Sequence, residues 1–410
     1  MWLKRSQIDS PLPSSRKAPS IWWEAVAAPQ WNPLGKLARL TRTPRLPARG
    51  RVACGDVAVP QALTERVKGL ALAVGFDLAG VAPAEPSPAT RFVREWLARG
   101  YAGEMDYIAR RAAERVDPRR VLPGARSIVV VGFVHDPERE DRGEDEARFR
   151  VARYAGGDDY HDVLLDRLRA FEAGLEAIVE HPVRTRGYID TGPVLERAAA
   201  ARAGLGWVGK NTCVIHPRLG SHFFLGVVLT DLELDPDEPV DDHCGSCRAC
   251  LDACPTGAFP EPYVLDATRC ISYTTIEARG AIPEALREAH GDWGFGCDAC
   301  QAVCPWNTRE RRRVPPDPLG LRARLAPRPE WQVPSVAWVL SLDEEAWRSA
   351  TRSTALRRTK YRGLVRNALV VAGNSGRAEL RPLVERHATG DDPLLAEHAR
   401  WALERLGVES

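Results

Sequence analysis

The sequence predicts a multidomain α+β protein in which an α/β domain, a cysteine-rich unit and an all-helical tail follow one another. Three observations support this prediction. The 410 residues exceed what one hydrophobic core usually organises. Helix and strand patterns alternate from Thr64 to about residue 236, and only helical patterns follow Asp343. The composition, 44% apolar and 27% charged, is that of a folded globular chain.

Residues 57–236 are expected to form the α/β domain. The segments TERVKGLALAVG and RFVREWLARG have apolar residues at helical spacing, and FDLAGVA between them has the length of a short strand. RSIVVVGFVH and SHFFLGVVLTDLEL are apolar runs of the buried-strand type, and HDVLLDRLRAFEAGLEAIV indicates a long helix. The acidic segment ELDPDEPVDD then interrupts the pattern, so we place a boundary near residue 236, in a solvated connector.

Residues 1–56 are expected to be a disordered extension. They mix Arg, Pro and Trp without a period of 2 or 3.6 residues, and they hold 10 Lys/Arg against 3 Asp/Glu. A transit peptide and an upstream start codon are the alternatives for this leader. The remaining residues hold 47 Lys/Arg against 52 Asp/Glu, so a polyanion would need a local basic surface on a mildly acidic body.

Eight of the ten cysteines lie between Cys244 and Cys304, in spacings typical of metal ligation. The pattern of a secretory signal is not seen at the amino terminus, which favours the cytoplasm and free thiols. The run CGSCRACLDACP has the C-x2-C-x2-C-x3-C-P spacing of bacterial ferredoxins, in which three thiolates hold one 4Fe-4S cluster and the fourth holds another. Cys270 and the run CDACQAVCP supply the partner set.

Residues 237–310 are therefore predicted to be a ferredoxin-like domain with two 4Fe-4S clusters. Exchange of the fourth ligands assigns one cluster to Cys244, Cys247, Cys250 and Cys304, and the other to Cys254, Cys270, Cys297 and Cys300. A structural zinc site is the alternative, but zinc needs only four ligands and leaves two Cys-Pro endings unexplained. Two clusters indicate one-electron transport to a further redox centre. That centre is not a Rossmann nicotinamide site, because no GxGxxG follows a strand.

Residues 311–410 are expected to be a linker and a helical tail. Residues 309–334 carry six prolines and little apolar pattern, as a linker would. Four helical patterns follow, namely EEAWRSAT, YRGLVRNALVVAGNSG, AELRPLVERHAT and PLLAEHARWALERLG. They resemble HEAT-type repeats, of which barely two are visible, so the tail is expected to dock on the rest of the chain.

Four parts of the chain resemble the epoxyqueuosine reductase family. They are YIDTGPVLERAAAARAGLGWVGKNT at 188–212, DDYH at 158–161, CISYTTIE at 270–277, and the two cysteine runs. The resemblance covers about residues 60–400. It implies a cobalamin domain joined to two 4Fe-4S clusters, as in the related reductive dehalogenases, and the last step of queuosine synthesis in tRNA. The implied reaction removes the epoxide oxygen of the modified wobble base with two electrons and two protons, leaving an alkene and water. The base is expected to turn out of the anticodon loop and lie against the corrin ring.

The resemblance also implies roles for individual residues. Asp190 matches the family's proton donor, so we expect a raised pKa in an apolar pocket that the cofactor covers. From the residues alone, Asp-Thr-Gly-Pro also fits a helix N-cap. Cys213 is expected to be a buried small residue, and His161 is not assigned as a cobalt ligand. The residues expected beside cobalamin are Arg153, Asp159, Tyr160, His161, Asp190, Lys210, Asn211, Val214, Leu225, Ser272, Tyr273, Thr274 and Asp298.

The segment from Trp347 to Arg366 is the candidate tRNA surface, because it contains seven basic residues and no acid. A single-signed face of this kind can neutralise several phosphates, although a solvated helix face is the common alternative. The residues expected to contact tRNA are Arg348, Arg352, Arg357, Arg358, Lys360, Arg362 and Arg366.

Other functions remain open at this point. A reductive dehalogenase-like cobalamin enzyme acting on a small organohalide would have no use for the basic tail. A subunit that only relays electrons would need neither the first domain nor Asp190, and a helical tRNA-binding protein would leave eight cysteines unexplained. The reading we favour expects a low-potential electron donor and, as the resemblance implies, a monomer. No membrane segment is expected, because the longest uncharged stretch near the middle of the chain covers 12 residues where a span needs about 20.

Overall fold

The computed structural model describes residues 59–135, 147–308 and 311–406. The extension 1–56 lies outside these ranges, and so does Cys54. The first part of the chain contains α1 (Val59–Ala73), β1 (Leu78–Pro83), α2 (Thr90–Ala98), α3 (Asp106–Arg110), α4 (Ala112–Val116), β2 (Ser127–Val134), β3 (Arg150–Val151), α5 (Tyr160–Val179), β4 (Thr185–Tyr188), α6 (Glu196–Arg202), β5 (Trp207–Val208), β6 (Val214–Ile215) and β7 (Phe223–Thr230).

The rest of the described chain is mainly helical. It contains α7 (Ala249–Asp252), α8 (Ile271–Ile276), α9 (Glu284–Arg287), β8 (Trp293–Phe295), α10 (Ala299–Ala302), α11 (Leu321–Leu325), α12 (Pro329–Gln332), α13 (Val336–Ser341), α14 (Glu344–Ala350), α15 (Lys360–Ser375), α16 (Arg381–Ala388) and α17 (Pro393–Arg405). None of these helices combines the length and apolarity that a membrane span requires.

An antiparallel sheet with the strand order β1-β2-β7-β4 is the framework of the first part. All eight residues of β2 are buried. Val129 and Val131 belong to a core shared with α1 and α5, and Ile128 and Val130 belong to a core shared with α6. Both faces of the sheet are therefore covered, which explains why the β2 sequence is apolar throughout instead of alternating.

Close packing brings α6 onto the outer strand β1. A Cβ at Gly80 would lie 2.1 Å from the Ala203 carbonyl oxygen, so only glycine permits this approach. The helix α6 begins six residues after Asp190, and β4 ends two residues before it. The packing of α6 on the sheet therefore fixes one end of the segment that carries Asp190.

The prediction that residues 309–334 are a linker is wrong for the part the structure describes. Leu321 and Leu325 of α11 are buried in the core that contains α5, and Trp331 of α12 is fully buried in the core of the tail. Asp77 and Asp158 form ion pairs with arginines of this segment. Each apolar side chain is isolated among Pro and Arg residues, so the sequence carries no periodic signal of its burial.

The cores also cross the other predicted boundaries. Strand β3 pairs in parallel with β8, which lies just before Cys297, and Phe149 and Phe295 share one core with Val365 and Leu369 of α15. Residues Asp56–Ser410 accordingly form one compact unit. The acidic connector is largely exposed, as predicted, but its residue Leu234 is buried.

The four helices that the tail patterns predict are present as α14 to α17. The helices α15, α16 and α17 pack together around Leu369, Val384 and Ala399. Their assignment to HEAT-type repeats stays a prediction. Asn367 of α15 donates to the Thr275 and Gly294 carbonyls, at 2.8 Å each, and so joins the tail to α8 and β8.

Candidate active site and cluster-binding loops

Asp190 lies in a turn after β4 and has a left-handed backbone with φ of 57°. The N-cap of the next helix is Leu195, so the alternative in which Asp190 caps a helix is wrong. Thr191 N–H donates to the Ile189 carbonyl at 2.6 Å, which tightens the turn around Asp190. A positive φ is uncommon for a residue other than glycine, although Asp tolerates it better than most.

The N-terminus of α5 supplies the partners of the Asp190 carboxylate. Tyr160 Oη donates to Asp190 Oδ2 at 2.7 Å, and His161 Nε2 lies 3.7 Å from the same oxygen. His161 Nδ1 contacts Asp159 Oδ1 at 2.7 Å, and Asp159 also caps α5 by accepting from His161 N. The Tyr160 and Phe224 rings are stacked with their centres 4.0 Å apart, which fixes the direction of the Tyr160 hydroxyl. Four predicted residues, Asp159, Tyr160, His161 and Asp190, therefore form one group, joined by two hydrogen bonds and by the His161–Asp190 ion pair.

In the chain by itself, the charges in this group differ from those expected under the cofactor. Desolvation raises the pKa of Asp190, but the nearby His161 side chain and the hydrogen bond from Tyr160 outweigh it and lower that pKa to about 2. Desolvation lowers the pKa of His161, but the contact with Asp159 and the nearby Asp190 carboxylate raise it to about 9. The chain by itself thus lowers the pKa of Asp190, whose side chain is 63% exposed, and the raised pKa expected under the cofactor stays a prediction. At neutral pH the ionisable proton is held by His161.

The cysteines fall into two groups of neighbours. Cys244, Cys247, Cys250 and Cys304 line one cavity together with Lys210. Burial and then the thiols of Cys244, Cys304 and Cys247 raise the pKa of Cys250 to about 11. Cys297 belongs to the second group. Burial raises its pKa to about 12, and the charges of Cys270 and Cys254 act in the same direction.

Backbone and side-chain donors surround these cysteine loops. Ala258 N–H and Ala299 N–H donate to the sulfurs of Cys254 and Cys297, at 3.3 and 3.4 Å. Lys210 Nζ donates to the carbonyls of Gly245 and Cys247, at 2.6 and 2.8 Å. Lys210, predicted to lie beside cobalamin, is thus bonded to the first cysteine loop. Asn211 is buried and donates to the Cys300 carbonyl at 3.4 Å, so it reaches the second run.

Other predicted cofactor residues lie on several elements. Val214 is buried in β6 and Leu225 is half-buried in β7. Asp298 Oδ2 accepts from Arg153 N at 2.8 Å, and the two residues line a cavity of about 250 Å³. Cys213 is half-buried.

The residues after Cys270 have internal partners. Tyr273 is buried and its hydroxyl accepts from Glu104 N at 2.7 Å. Thr274 is 1% exposed, and its hydroxyl contacts the Ile271 carbonyl and His290 Nε2. The prediction that Thr274 edges the cofactor or tRNA pocket is wrong, because its side chain is inside the protein. Ser272 is half-buried in α8.

The predicted basic surface is smaller than the sequence suggests. Arg366 is fully buried and donates to the carbonyls of Thr274, Ala278 and Gly280, so its prediction as a tRNA contact is wrong. Three exposed arginines have acidic partners, in the pairs Arg348 with Glu344, Arg358 with Glu277 and Arg362 with Asp392. Arg352, Arg357 and Lys360 are exposed and form no ion pair with any described residue.

Three residues near Asp190 were not predicted. Tyr107 of α3 is partly exposed, and Arg358 Cζ lies 5.9 Å from the centre of its ring. The charge of Asp190 acts on the pKa of both groups. Arg115 Nη1 of α4 donates to the Gly192 carbonyl at 3.3 Å, and Glu196 is the first residue of α6, the helix that follows the Asp190 turn. No spacing rule links Tyr107 or Arg115 to the YIDTGP segment, so only the fold brings them there. Glu196 does lie within the resembling segment, as an ordinary helix-start acid.

Known families match both halves of this site. The family described as "Epoxyqueuosine reductase QueG, DUF1730" matches residues 115–191, a range that ends just past Asp190. The family described as "4Fe-4S double cluster binding domain" matches residues 243–307.

Curated relatives match over most of the chain. Epoxyqueuosine reductase from Xanthomonas campestris is 38% identical over 85% of this chain and 98% of its own length. The enzyme from Pseudomonas aeruginosa is 39% identical over 85% of this chain and 96% of its own length. The enzyme from Escherichia coli is 37% identical over 83% of this chain and 89% of its own length.

Solved structures agree with the sequence relatives. A crystal structure of epoxyqueuosine reductase with a tRNA-Tyr epoxyqueuosine-modified stem loop is 31% identical, covers 85% of this chain and 91% of its own, and has a TM-score of 0.77. A second structure is that of epoxyqueuosine reductase from Bacillus subtilis with its catalytic aspartate loop swung out of the active site. It is 30% identical, covers 85% of this chain and 91% of its own, and has a TM-score of 0.76.

The fold and the two cysteine groups define an iron–sulfur oxidoreductase. The identity and coverage of the curated relatives then specify it further: the chain belongs to the epoxyqueuosine reductase family. The relatives favour this reading over a dehalogenase acting on a small molecule.

Proposed function

We propose that this chain reduces epoxyqueuosine to queuosine at the wobble position of tRNA. The observation that carries the proposal is the group of Asp159, Tyr160, His161 and Asp190, joined by hydrogen bonds and one ion pair, in a chain that also brings eight cysteines into two sets of neighbours. The reaction converts an epoxide, two electrons and two protons into an alkene and water. The chain must therefore deliver electrons and protons to one place.

The cysteine groups fit two 4Fe-4S clusters with exchanged fourth ligands. Cys304 lies beside the first run, and Cys270 lies within electrostatic reach of Cys297, as the exchange requires. Thiols with raised pKa values lose their protons when a cationic cluster binds, because its charge favours thiolate. The N–H groups that face the Cys254 and Cys297 sulfurs would also stabilise a reduced, more negative cluster.

The chain is proposed to bind cobalamin, which when bound would supply low-potential electrons to the substrate. The residues proposed to hold it are Arg153, Tyr160, Leu225 and Asp298. Two separate observations support this proposal: Arg153 and Asp298 line one cavity, and the Asp190 carboxylate is accessible beside Tyr160. Ser272 is proposed to lie at the edge of the same pocket.

Asp190 and His161 are proposed to handle the protons. In the chain alone, Asp190 is ionised and His161 holds a proton 3.7 Å away. A substrate base over Asp190 would exclude water and favour the neutral form of the pair, with the proton on the carboxyl oxygen. Asp190 would then protonate the leaving oxygen, and Tyr160 Oη would keep the carboxylate in position.

The tRNA is proposed to approach from the tail. Arg352, Arg357 and Lys360 are exposed there without acidic partners among the described residues, which suits contacts to phosphates. Arg358 extends this surface towards Asp190, and Tyr107 beneath it offers an aromatic face to an unstacked base. We further propose a monomer in the cytoplasm that receives electrons from a low-potential donor.

The conversion of substrate tests this function. The chemically reduced protein, loaded with cobalamin, is incubated with tRNA bearing epoxyqueuosine, and the digested nucleosides are weighed. The proposal expects the mass of one oxygen atom to be lost from the modified nucleoside. An unchanged nucleoside mass, with both clusters and cobalamin shown to be bound, would contradict it.

A further inference from the structure

The short hairpin of β5 and β6 ends in a turn at residues 209–213. Gly209 N–H donates to the Cys213 carbonyl at 2.8 Å, which closes the turn. A Cβ at Gly209 would lie 2.5 Å from the Ile215 side chain, so the turn leaves no room for a larger residue there. Lys210 therefore lies at the tip of a tightly built hairpin.

This tip is fixed to the cysteine-rich segment through Lys210. The Lys210 Nζ donates to the carbonyls of Gly245 and Cys247, at 2.6 and 2.8 Å, and both acceptors belong to the first cysteine run. Tyr263 N–H donates to the Lys210 carbonyl at 3.0 Å, so the backbone is held as well. The same lysine lines the cavity of the four cysteines assigned to the first cluster, which are Cys244, Cys247, Cys250 and Cys304.

The positive charge of Lys210 is not neutralised by an ion pair. Its side chain is half-buried, and it forms no ion pair with any carboxylate in the part of the chain that the structure describes. Asp242 lies near the same cysteine run, but it is exposed, and its carboxylate accepts from Cys244 N and Tyr263 Oη. Water screens the charge of an exposed carboxylate more strongly than that of a half-buried ammonium group.

We propose that Lys210 stabilises the first 4Fe-4S cluster through its positive charge and raises the reduction potential of that cluster. This proposal rests on the proposed binding of two clusters. A cluster held by four thiolates is an anion, and reduction adds a further negative charge. A nearby cation therefore stabilises both states, and the reduced state more.

The location of the first cluster gives this effect a function. Among the eight cysteines of the two groups, Cys247 is the one whose side chain is exposed. An external electron donor would therefore approach the first cluster most closely. A higher reduction potential at this cluster favours the transfer of an electron from that donor.

Two substitutions of Lys210 separate its charge from its shape. Lys210→Met removes the charge, so we expect the equilibrium constant for reducing the first cluster to fall about 10-fold, a midpoint potential about 59 mV lower for one electron. Lys210→Arg keeps the charge and should stay within about threefold of wild type. A redox titration followed by electron paramagnetic resonance measures this without turnover, and the second cluster should be unchanged in both variants.

Arg248→Met is the matched control, because Arg248 lies in the same cysteine run, between Cys247 and Cys250. Its side chain is 62% exposed and pairs with Asp252 at 3.4 Å, so water and this partner screen its charge. We expect its removal to change the equilibrium constant of the first cluster by less than about threefold. An unchanged potential in Lys210→Met, or an equal shift in Arg248→Met, would overturn the proposal.

The iron content decides the case in which Lys210→Met does not retain the first cluster. About four iron atoms per chain in Lys210→Met and about eight in Lys210→Arg would support the proposal, because the retained cluster follows the charge. About four in both variants would overturn it, since the loop would then need the shape of lysine. A wild-type chain that binds no iron would instead refute the proposed clusters themselves.

Discussion

The cysteine segment and the Asp190 turn are built in different ways. In the first, the spacings within the two runs of residues 244–304 place most of the thiols. In the second, Asp190 depends on Tyr160, which lies 30 positions away, and its turn depends on Arg115, which reaches Gly192 across 77 positions. A donor set placed by local spacing can be recognised in a sequence, whereas one assembled by tertiary contacts needs the fold.

Removal of Cys270 tests whether the spacings within the two runs are sufficient to bind both clusters, because this thiol lies outside both runs. We expect Cys270→Ala to reduce the iron content from about eight to about four atoms per chain and to abolish turnover, because the electron relay is broken. The matched control is Cys213→Ala, a cysteine outside both groups. Equal iron loss in the two variants would show that the segment is held together by general packing rather than by its ligand sets.

Arg366 tests the opposite case, a residue placed entirely by the fold. We expect Arg366→Met to lower the free energy of unfolding by about 3 kcal/mol, because it leaves buried carbonyls of Thr274, Ala278 and Gly280 without a donor. Arg362→Met, on the same helix, removes an exposed pair with Asp392 and should cost under about 1 kcal/mol. Urea denaturation measures both, and equal losses would refute the burial argument.

The exposed part of the tail is the third test, and it has the smallest expected effect. Reversing Arg352, Arg357 and Lys360 to Glu should weaken binding of a tRNA stem loop by roughly 10-fold and reduce the slope of log affinity against log salt by about two. The control reverses the same number of charges on α16 and α17, at Arg381, Arg386 and Arg400. A tail variant that binds like the control would place the RNA surface elsewhere on the molecule.

The sequence predicts the regular elements well, because a single pattern decides them. The fully apolar β2 and the long helix α5 are where their residues predict them. The prediction failed where isolated residues are buried by distant partners. Leu321 and Trp331 lack a period, and Arg366 looks exposed among other arginines although backbone carbonyls enclose it.

The charge of the site was the hardest feature to predict. A carboxyl in a covered pocket should have a raised pKa, and this expectation ignored the His161 side chain that the fold places 3.7 Å from Asp190. The motif identifies the residue, but its protonation depends on neighbours from another element. The positions of Tyr107 and Arg115 near Asp190 were missed for the same reason.

The rate of a single turnover tests the central claim, that Asp190 delivers the proton to the leaving oxygen, most directly. Protein with pre-reduced clusters and bound cobalamin is mixed with tRNA bearing epoxyqueuosine, and alkene formation is followed by quenching and mass analysis. We expect Asp190→Asn to be at least about 100-fold slower than wild type at equal cluster and corrin absorbance, and Asp162→Asn, an exposed acid on α5, to match wild type. Alkene formation in Asp190→Asn at the wild-type rate would contradict the claim.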